Sequence, residues 1–363
     1  MKPRPPHALF PRIHTWLHNH RVVTYVLIAI GLSVASLMIM LVLYYKKPVH
    51  TPASNPVAQQ KKATPAPIFY SPLTGKPVAN QAATTQPVTA IMIENSPDAR
   101  PQSGLKDAGI VYEAIAEGGI TRFLTLHQEG KPQLIGPVRS LRMYYLDWAA
   151  PYNASIAHIG GSYNALQEVR NGQYRDIDQF FNAQYYWRAT DRAAPHNVYT
   201  SFEKLDALNA TKGYTSSTFT GFTRSNSTAT PTPTATSIDL NFSSALYNTH
   251  YDYDKTSNTY MRSIGGEASN DREGGRITPA VVVALKVDMT TVYEDGWRQS
   301  ITTTGSGGAV VFQNGQVTEC TWRKNDRAAP LELLAADGKT LPLARGQTWI
   351  AAIPNSGGSI TWK

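Results

Sequence analysis

Two arginines three residues apart, Arg139 and Arg142, close the run LIGPVRSLR at 134–142. A guanidinium is permanently charged and offers a planar fork of donors that matches phosphate or carboxylate. A second run, ASIAHIGGS, ends in His158, Gly160, Gly161 and Ser162. Paired glycines let backbone amides come close to a ligand, and amides at a helix start favour an anion. His158 adds a ring that can donate a hydrogen bond or move a proton near neutral pH. Arg122 and His196 are further polar groups within reach of such a pocket, with Asn197 beside His196. The chemistry these residues suit is the capture of a phosphate or carboxylate. If the site also turned a ligand over, the arginines would stabilise charge on a transferring phosphate, with His158 or Glu113 as base. Magnesium would then be expected, with Asp147 as a ligand. The structural alternative for each residue is plain: arginines at strand exits pair with carboxylates, here Glu113, Glu117 or Asp147, and Gly-Gly-Ser is a common helix entry.

The elements that would hold these residues follow from the flanking patterns. VTAIMIEN (88–95) and GIVYEAIAE (109–117) read as strands. TRFLTLHQEGKPQLIGPVRS reads as two strands about the turn Glu129–Pro132. Ser140 is placed to cap a helix LRMYYLDWAAPY, and Ser162 to cap YNALQEVRNG, which Gly172 would stop. Thr200 or Ser201 is placed to cap another. Strand, helix, strand, helix predicts an α/β first domain over 68–224, a mixed sheet with crossover helices. In such sheets ligands bind beyond the carboxyl ends of strands, which is where both runs end. Asp176 and Asp178 read as a solvated edge.

From about 238 the texture becomes β-rich. YDYDKTSNTYMRS is a hairpin about 255–258, PAVVVALKVD a buried strand, and AVVFQNGQVTECTWRK a hairpin on Asn314-Gly315. A further strand pair is expected about Asp337-Gly338. This predicts a β-rich second domain over 238–363, a sandwich or small barrel, joined through the polar stretch 225–237, a linker or exposed loop. Trp297, Trp322, Trp349 and Trp362 could line a sugar-binding groove; core packing is the commoner role for tryptophans in hairpins.

Charge and hydropathy bound the function. The net charge is +8, but eight of the 34 Lys and Arg lie in residues 1–62, which contain no acid. The rest of the chain carries 26 basic and 26 acidic side chains. With no basic run in that balanced body, nucleic acid is excluded as a partner. A single cysteine, Cys320, rules out an intramolecular disulfide and a thiolate metal cluster, and no other metal-ligand spacing stands out. No Walker A, H-E-x-x-H, G-x-S-x-G or EF-hand pattern is present.

Residues 22–45 form 24 residues without a charge, ended by Tyr44-Tyr45-Lys46-Lys47. That is too long for a secretory h-region and suits an uncleaved transmembrane signal anchor. Lys2, Arg4, Arg12 and Arg21 precede it, which places a 1–21 tail in the cytoplasm and the body outside the cell. Residues 46–67, rich in Pro, Ala, Gln and Thr, read as an extracellular stalk.

The segments SPLTGKPV, RPQSGLKDAGIVYEAIAEGGITRFL, IGPVRSLR, HIGGS, APHNVY, VFQNGQVTECTWRK and GQTWIAAIP resemble the YerB-like family of bacterial envelope proteins, over about residues 70–354. The resemblance implies an envelope location and two domains but no established reaction. It also implies a lipoprotein, from which this chain departs in having an apolar helix and no lipid-accepting cysteine before its body. A looser similarity, of arginines after a strand pair and then Gly-Gly, is to the LytR-CpsA-Psr envelope phosphotransferases. Those hold a polyprenyl-linked pyrophosphate with arginines. They typically place Asp directly after a key Arg; here Ser140 follows Arg139. Function is therefore expected to be the non-catalytic binding of an anionic envelope ligand, a lipid-linked phosphate or acidic glycan, with no cofactor. The rival expectation is a phosphotransferase or hydrolase acting on a lipid-linked pyrophosphate.

Overall fold

The computed structural model describes residues 20–46, 68–292 and 298–363. Most of the expected cytoplasmic tail and of the expected stalk, and Trp297, lie outside these. The chain divides into two compact units, Met1–Ala66 and Pro67–Lys363.

In the first unit, helix α1 (Arg21–Tyr45) runs 25 residues with none buried. At 1.5 Å per residue it is about 37 Å long, more than the ~30 Å hydrocarbon core of a bilayer. It is long and apolar enough to cross a membrane.

The second unit is built on a mixed, 12-stranded sheet. Its first half supplies β1 (Thr89–Glu94), β2 (Ile110–Glu117), β3 (Ile120–His127), β4 (Ser155–Ala157) and β5 (Arg175–Asp176). A five-stranded antiparallel sheet takes β6 (Ser237–Asn241), β7 (Thr249–Asp254), β8 (Thr259–Ile264), β9 (Glu267–Ala268) and a last strand described below. Then β10 (Val281–Val287), the small hairpin β11 (Met289–Val292) and β12 (Arg298–Ile301), β13 (Gly305–Gln313), β14 (Gln316–Lys324), β15 (Glu332–Leu334) and β16 (Thr348–Pro354) return to the large sheet. Strand β17 (Ser359–Trp362) completes the small sheet beside β6. The large sheet is ordered β15-β14-β13-β10-β16-β2-β3-β1-β4-β5, and β12 touches the end of β2. Parallel pairing of β16 with β2, Thr348 opposite Ile110, joins the two halves of the sequence in one sheet. The expected second sandwich is therefore shared: one of its two sheets is also the sheet of the first half.

Both faces of the large sheet are covered, which is why β2 and β10 read as near-continuous apolar runs rather than as alternation. On one face Met92, Tyr112, Leu124 and Ile350 pack under helices α2 (Met143–Ala149) and α3 (Tyr163–Val169). On the other, Ile93, Val111, Phe123 and Trp349 meet α4 (Phe202–Thr211) and the small sheet.

Several local expectations changed. Residues 134–138 make only isolated bridges, at Ile135, Gly136 and Val138. Pro132 and Pro137 lack the amides that a regular ladder needs. Helix α2 starts at Met143 with Arg142 in the cap position, not at Leu141 behind Ser140. The backbone of 139–141 is already engaged, Arg139 N–H with Met92 O at 2.8 Å and Leu141 N–H with Gly160 O at 3.0 Å. Asp178 is fully buried and Asp176 half-buried, so that pair is no solvated edge. The stretch 225–237 lies against the β13–β14 turn, with the Thr234 amide donating to Gly315 O and Ala235 buried. Trp322 and Trp349 are core residues, while Trp362 is partly exposed and packs edge-on against Phe312. Cys320 is half-buried in β14, where burial pushes its thiol up to about 11.

Candidate functional site

Strands β1, β2, β4 and β5 run in one direction, with β3 reversed among them. Their carboxyl ends carry Glu94, Glu117, His158 just past β4, and Asp176; the start of β3 brings Arg122 to the same edge. Arg139, Arg142, Gly160, Gly161, Ser162 and His196 gather there too, through contacts with these strand ends. The expected set thus shares one edge of the sheet, but its members do not converge on one point.

Arg139 and Arg142 diverge. They flank an extended segment, in which residues an odd number apart point to opposite faces. Arg139 turns to Glu94, with Nε 3.3 Å from Oε1. Arg142 turns to Glu117, donating from Nε at 3.2 Å and also from Nη2. Arg122 donates to the other oxygen of Glu117 at 2.8 Å and to the Ser140 carbonyl at 3.0 Å. One carboxylate therefore serves two guanidiniums. Burial acts to raise the Glu117 carboxyl, but Arg122 and Arg142 outweigh it and hold the group down at about 2. Arg142 is itself pushed down, by burial first and then by Arg122, against the pull of Glu117.

At the helix entry two of the amides are already engaged. Gly160 N–H donates to Asp178 Oδ1 at 3.2 Å, and Ser162 N–H to Leu141 O at 3.1 Å. Ser162 occupies the cap position of α3 without a side-chain bond, and the helix has only 7 residues. Gly160 is needed for its φ of +62°, and Gly161 for its closeness to Leu141 O, 3.0 Å from where a Cβ would sit. These glycines serve the chain's own packing.

His158 is fully buried, Nε2 3.0 Å from Asp176 and Nδ1 2.8 Å from Gly160 O. Glu113 is also fully buried, in mid-sheet. Arg262 on β8 grips both its oxygens at 3.0 and 2.9 Å, and Trp349 Nε1 donates to it at 2.9 Å. Neither candidate base reaches solvent. His196 is partly exposed and sits 3.0 Å from Glu94 Oε1, with Ser96 Oγ 3.2 Å away. Glu94, which ties Arg139 to His196, was not singled out from sequence; its signal was a carboxylate closing an otherwise apolar strand. Its Oε2 is buried with no hydrogen-bond partner among the described residues.

Asp147, the expected magnesium ligand, receives Thr303 at 2.7 Å and a close contact from Arg327, which also reaches Glu168 at 3.1 Å. Among the described residues no three His, Cys, Asp or Glu side chains are grouped to hold a metal ion. Asp147 is committed to a cation of the protein itself, so the residues do not fit magnesium and no step is drawn through it.

The space beside these groups is a cleft of about 410 Å³, lined by Arg142, Asp147, Ser162, Tyr163, Asn164 and Arg298 among others. It is roomy enough for a phosphorylated group and keeps Arg142 on its wall.

The comparisons with known proteins extend over both halves. Residues 73–215 match the N-terminal domain, and residues 238–350 the C-terminal domain, of a family described as protein of unknown function DUF3048. The chain belongs to the DUF3048 family. A relative from Bacillus subtilis (strain 168), described as "Putative lipoprotein YerB", is 33% identical over 305 residues, covering 82% of this chain and 90% of that protein. The crystal structure of YerB from Bacillus subtilis superposes with a TM-score of 0.72 at 30% identity, over 81% of this chain and 99% of that one. The YerB-like resemblance noted in the sequence is thereby established for the whole DUF3048 body. The relative's name speaks of a lipoprotein; here the apolar N-terminal element is α1.

Proposed function

We propose that this protein is held at the cell membrane by α1, with its body outside. There the body binds an anionic group of an envelope ligand, a lipid-linked phosphate or an acidic glycan, without turning it over. The observation that carries the reading is the two-to-one ratio at Glu117: Arg122 and Arg142 share a single carboxylate, and Arg142 lines the cleft. A second anion there would balance the surplus charge, and in a desolvated place that balance is worth more than at the surface. Orientation follows from Lys2, Arg4, Arg12 and Arg21 ahead of α1. The transfer reading is less well supported, because His158 and Glu113 are both sealed from solvent.

The test uses the full chain in neutral detergent micelles, titrated with a short-chain polyprenyl pyrophosphate and, separately, with an acidic oligosaccharide. Arg142→Gln is expected to weaken whichever ligand binds by about 1–2 kcal/mol, the order of one charged hydrogen bond. Glu117→Gln, which frees both guanidiniums, is expected to tighten it. Affinities indifferent to both changes would remove the reading.

A further inference from the structure

The opposite edge of the large sheet holds a basic hollow that the sequence did not suggest. Just before β2, β16 and β10, three neighbouring parallel strands, come Lys106, then Arg345 and Gln347, then Thr278. With Lys76 and Ser227 these line a pocket of about 300 Å³, and none of its lining residues is acidic. The three cations lack ion-pair partners among the described residues. The Lys76 ammonium makes no hydrogen bond within the described chain. Lys106 Nζ donates only to the carbonyl of Gly274. The Arg345 guanidinium is stacked 3.8 Å over the Tyr70 ring, which fixes its plane, while its buried Nε has no acceptor. One carboxylate is near enough to feel both lysines, that of Asp107, which is exposed and outside the lining. Three positive charges line the hollow, beside the hydroxyl and amide groups of Ser227, Thr278 and Gln347, while the two nearby carboxylates, Asp107 and Asp271, the latter accepting from the Lys106 N–H at 3.1 Å, lie outside its lining. This differs from the carboxyl edge, where Arg122, Arg139 and Arg142 all contact carboxylates.

We infer that this amino-edge pocket is a second binding site, for a multivalent oxyanion of the phosphate-ester or pyrophosphate class. The lining selects the class: three cations from separate segments and no acidic side chain suit an anion with several charged oxygens better than a single carboxylate. Tetrahedral phosphate oxygens can take donors from several directions at once, as an ammonium pair, a guanidinium fork and hydroxyls here provide. The lining comes from both family-matched segments, Lys76 and Lys106 from the first and Thr278 and Arg345 from the second, so the site exists only in the assembled body.

The test is calorimetric titration of the full chain in neutral detergent micelles with inorganic pyrophosphate. Glycerol 3-phosphate and a glycerol phosphodiester are run in parallel, to separate a terminal phosphate from a backbone phosphate. The expected result is saturable pyrophosphate binding that weakens at least fivefold in Lys76→Gln and in Arg345→Gln, while Lys339→Gln, at an exposed lysine outside this lining, leaves it unchanged. Binding should also fall with added salt, because the lysines are exposed. The Lys76 side chain makes no hydrogen bond or ion pair among the described residues, and its backbone bonds are kept by glutamine, so K76Q keeps the comparison valid if R345Q is unstable; pyrophosphate-induced thermal stabilisation, lost in K76Q alone, is the second readout. Pyrophosphate affinity equal in wild type and K76Q, or acetate binding as tightly as pyrophosphate, would overturn the inference.

Discussion

At the scale of single residues, the most consequential fact is that charges buried in this body are shared or silent. Glu117 titrates at about 2 in the fold, well below an unfolded glutamate. Its stabilisation is therefore complete above the unfolded value, near ~4.3, and is lost as the pH falls through the folded one. With some discount for partial exposure, the wild type should lose on the order of 2 kcal/mol over that interval on this account. Glu117→Gln should be less stable at pH 7 and show a flatter acid slope; urea midpoints at pH 5 and pH 3 decide it. His127 works differently. It is fully buried, and burial holds it down to about 4 against the hydrogen bond with Gly130 O. The unfolded ring binds its proton near ~6.5, so stability should fall as the pH drops from there towards 4, by about 2–3 kcal/mol. His127→Gln should remove that part of the pH dependence, and an unchanged profile between pH 7 and pH 5 would refute the assignment.

At the scale of elements, β8 is fastened to the centre of the large sheet by one polar cluster in an apolar layer. Arg262 on β8 holds Glu113 on β2 and lies 4.5 Å over the ring of Trp349 on β16, which donates to the same carboxylate. Removing one partner of such a pair strands the other in a dry interior. Arg262→Ala is expected to cost about 3–5 kcal/mol, and Arg262→Ala with Glu113→Gln markedly less than the separate costs combined. Chemical denaturation of the three variants tests the coupling. The β13–β14 hairpin carries a second constraint. Asn314 and Gly315 have φ of +59° and +75°, and a Cβ on Gly315 would meet the Tyr253 ring at 2.5 Å. Gly315→Ala should cost about 1–3 kcal/mol through backbone strain and that clash; a neutral substitution would show that the turn relaxes freely.

At the scale of the whole molecule, the continuous sheet makes the two family-matched segments interdependent. Strand β16 from the second segment pairs along β2 of the first, and β10 pairs along β16. Both segments of the body should lose protection from hydrogen exchange together rather than in two stages. A protease nick within 226–234 should leave the two pieces bound to each other under native conditions. Two separated transitions, or free halves after nicking, would contradict the shared sheet as the unit of stability.

What the sequence determined by itself was local. The apolar helix, the strands β2 and β10, the Asn314-Gly315 hairpin and a helix start at Thr200 or Ser201 all follow from periodicity, turn chemistry and charge within a short window; the fold makes Ser201 the cap, its side chain accepting from Lys204 N–H. The edge of the sheet that would gather Arg139, Arg142 and His158 was legible as well, because strand ends and helix starts mark it. Only the tertiary structure decided where the charges went. Arg142 meets Glu117, Arg262 meets Glu113 from 149 positions away, and Lys76 and Arg345 share one hollow. Pairing across such separations is set by which strands become neighbours, and a one-residue change of register would give every side chain a different partner.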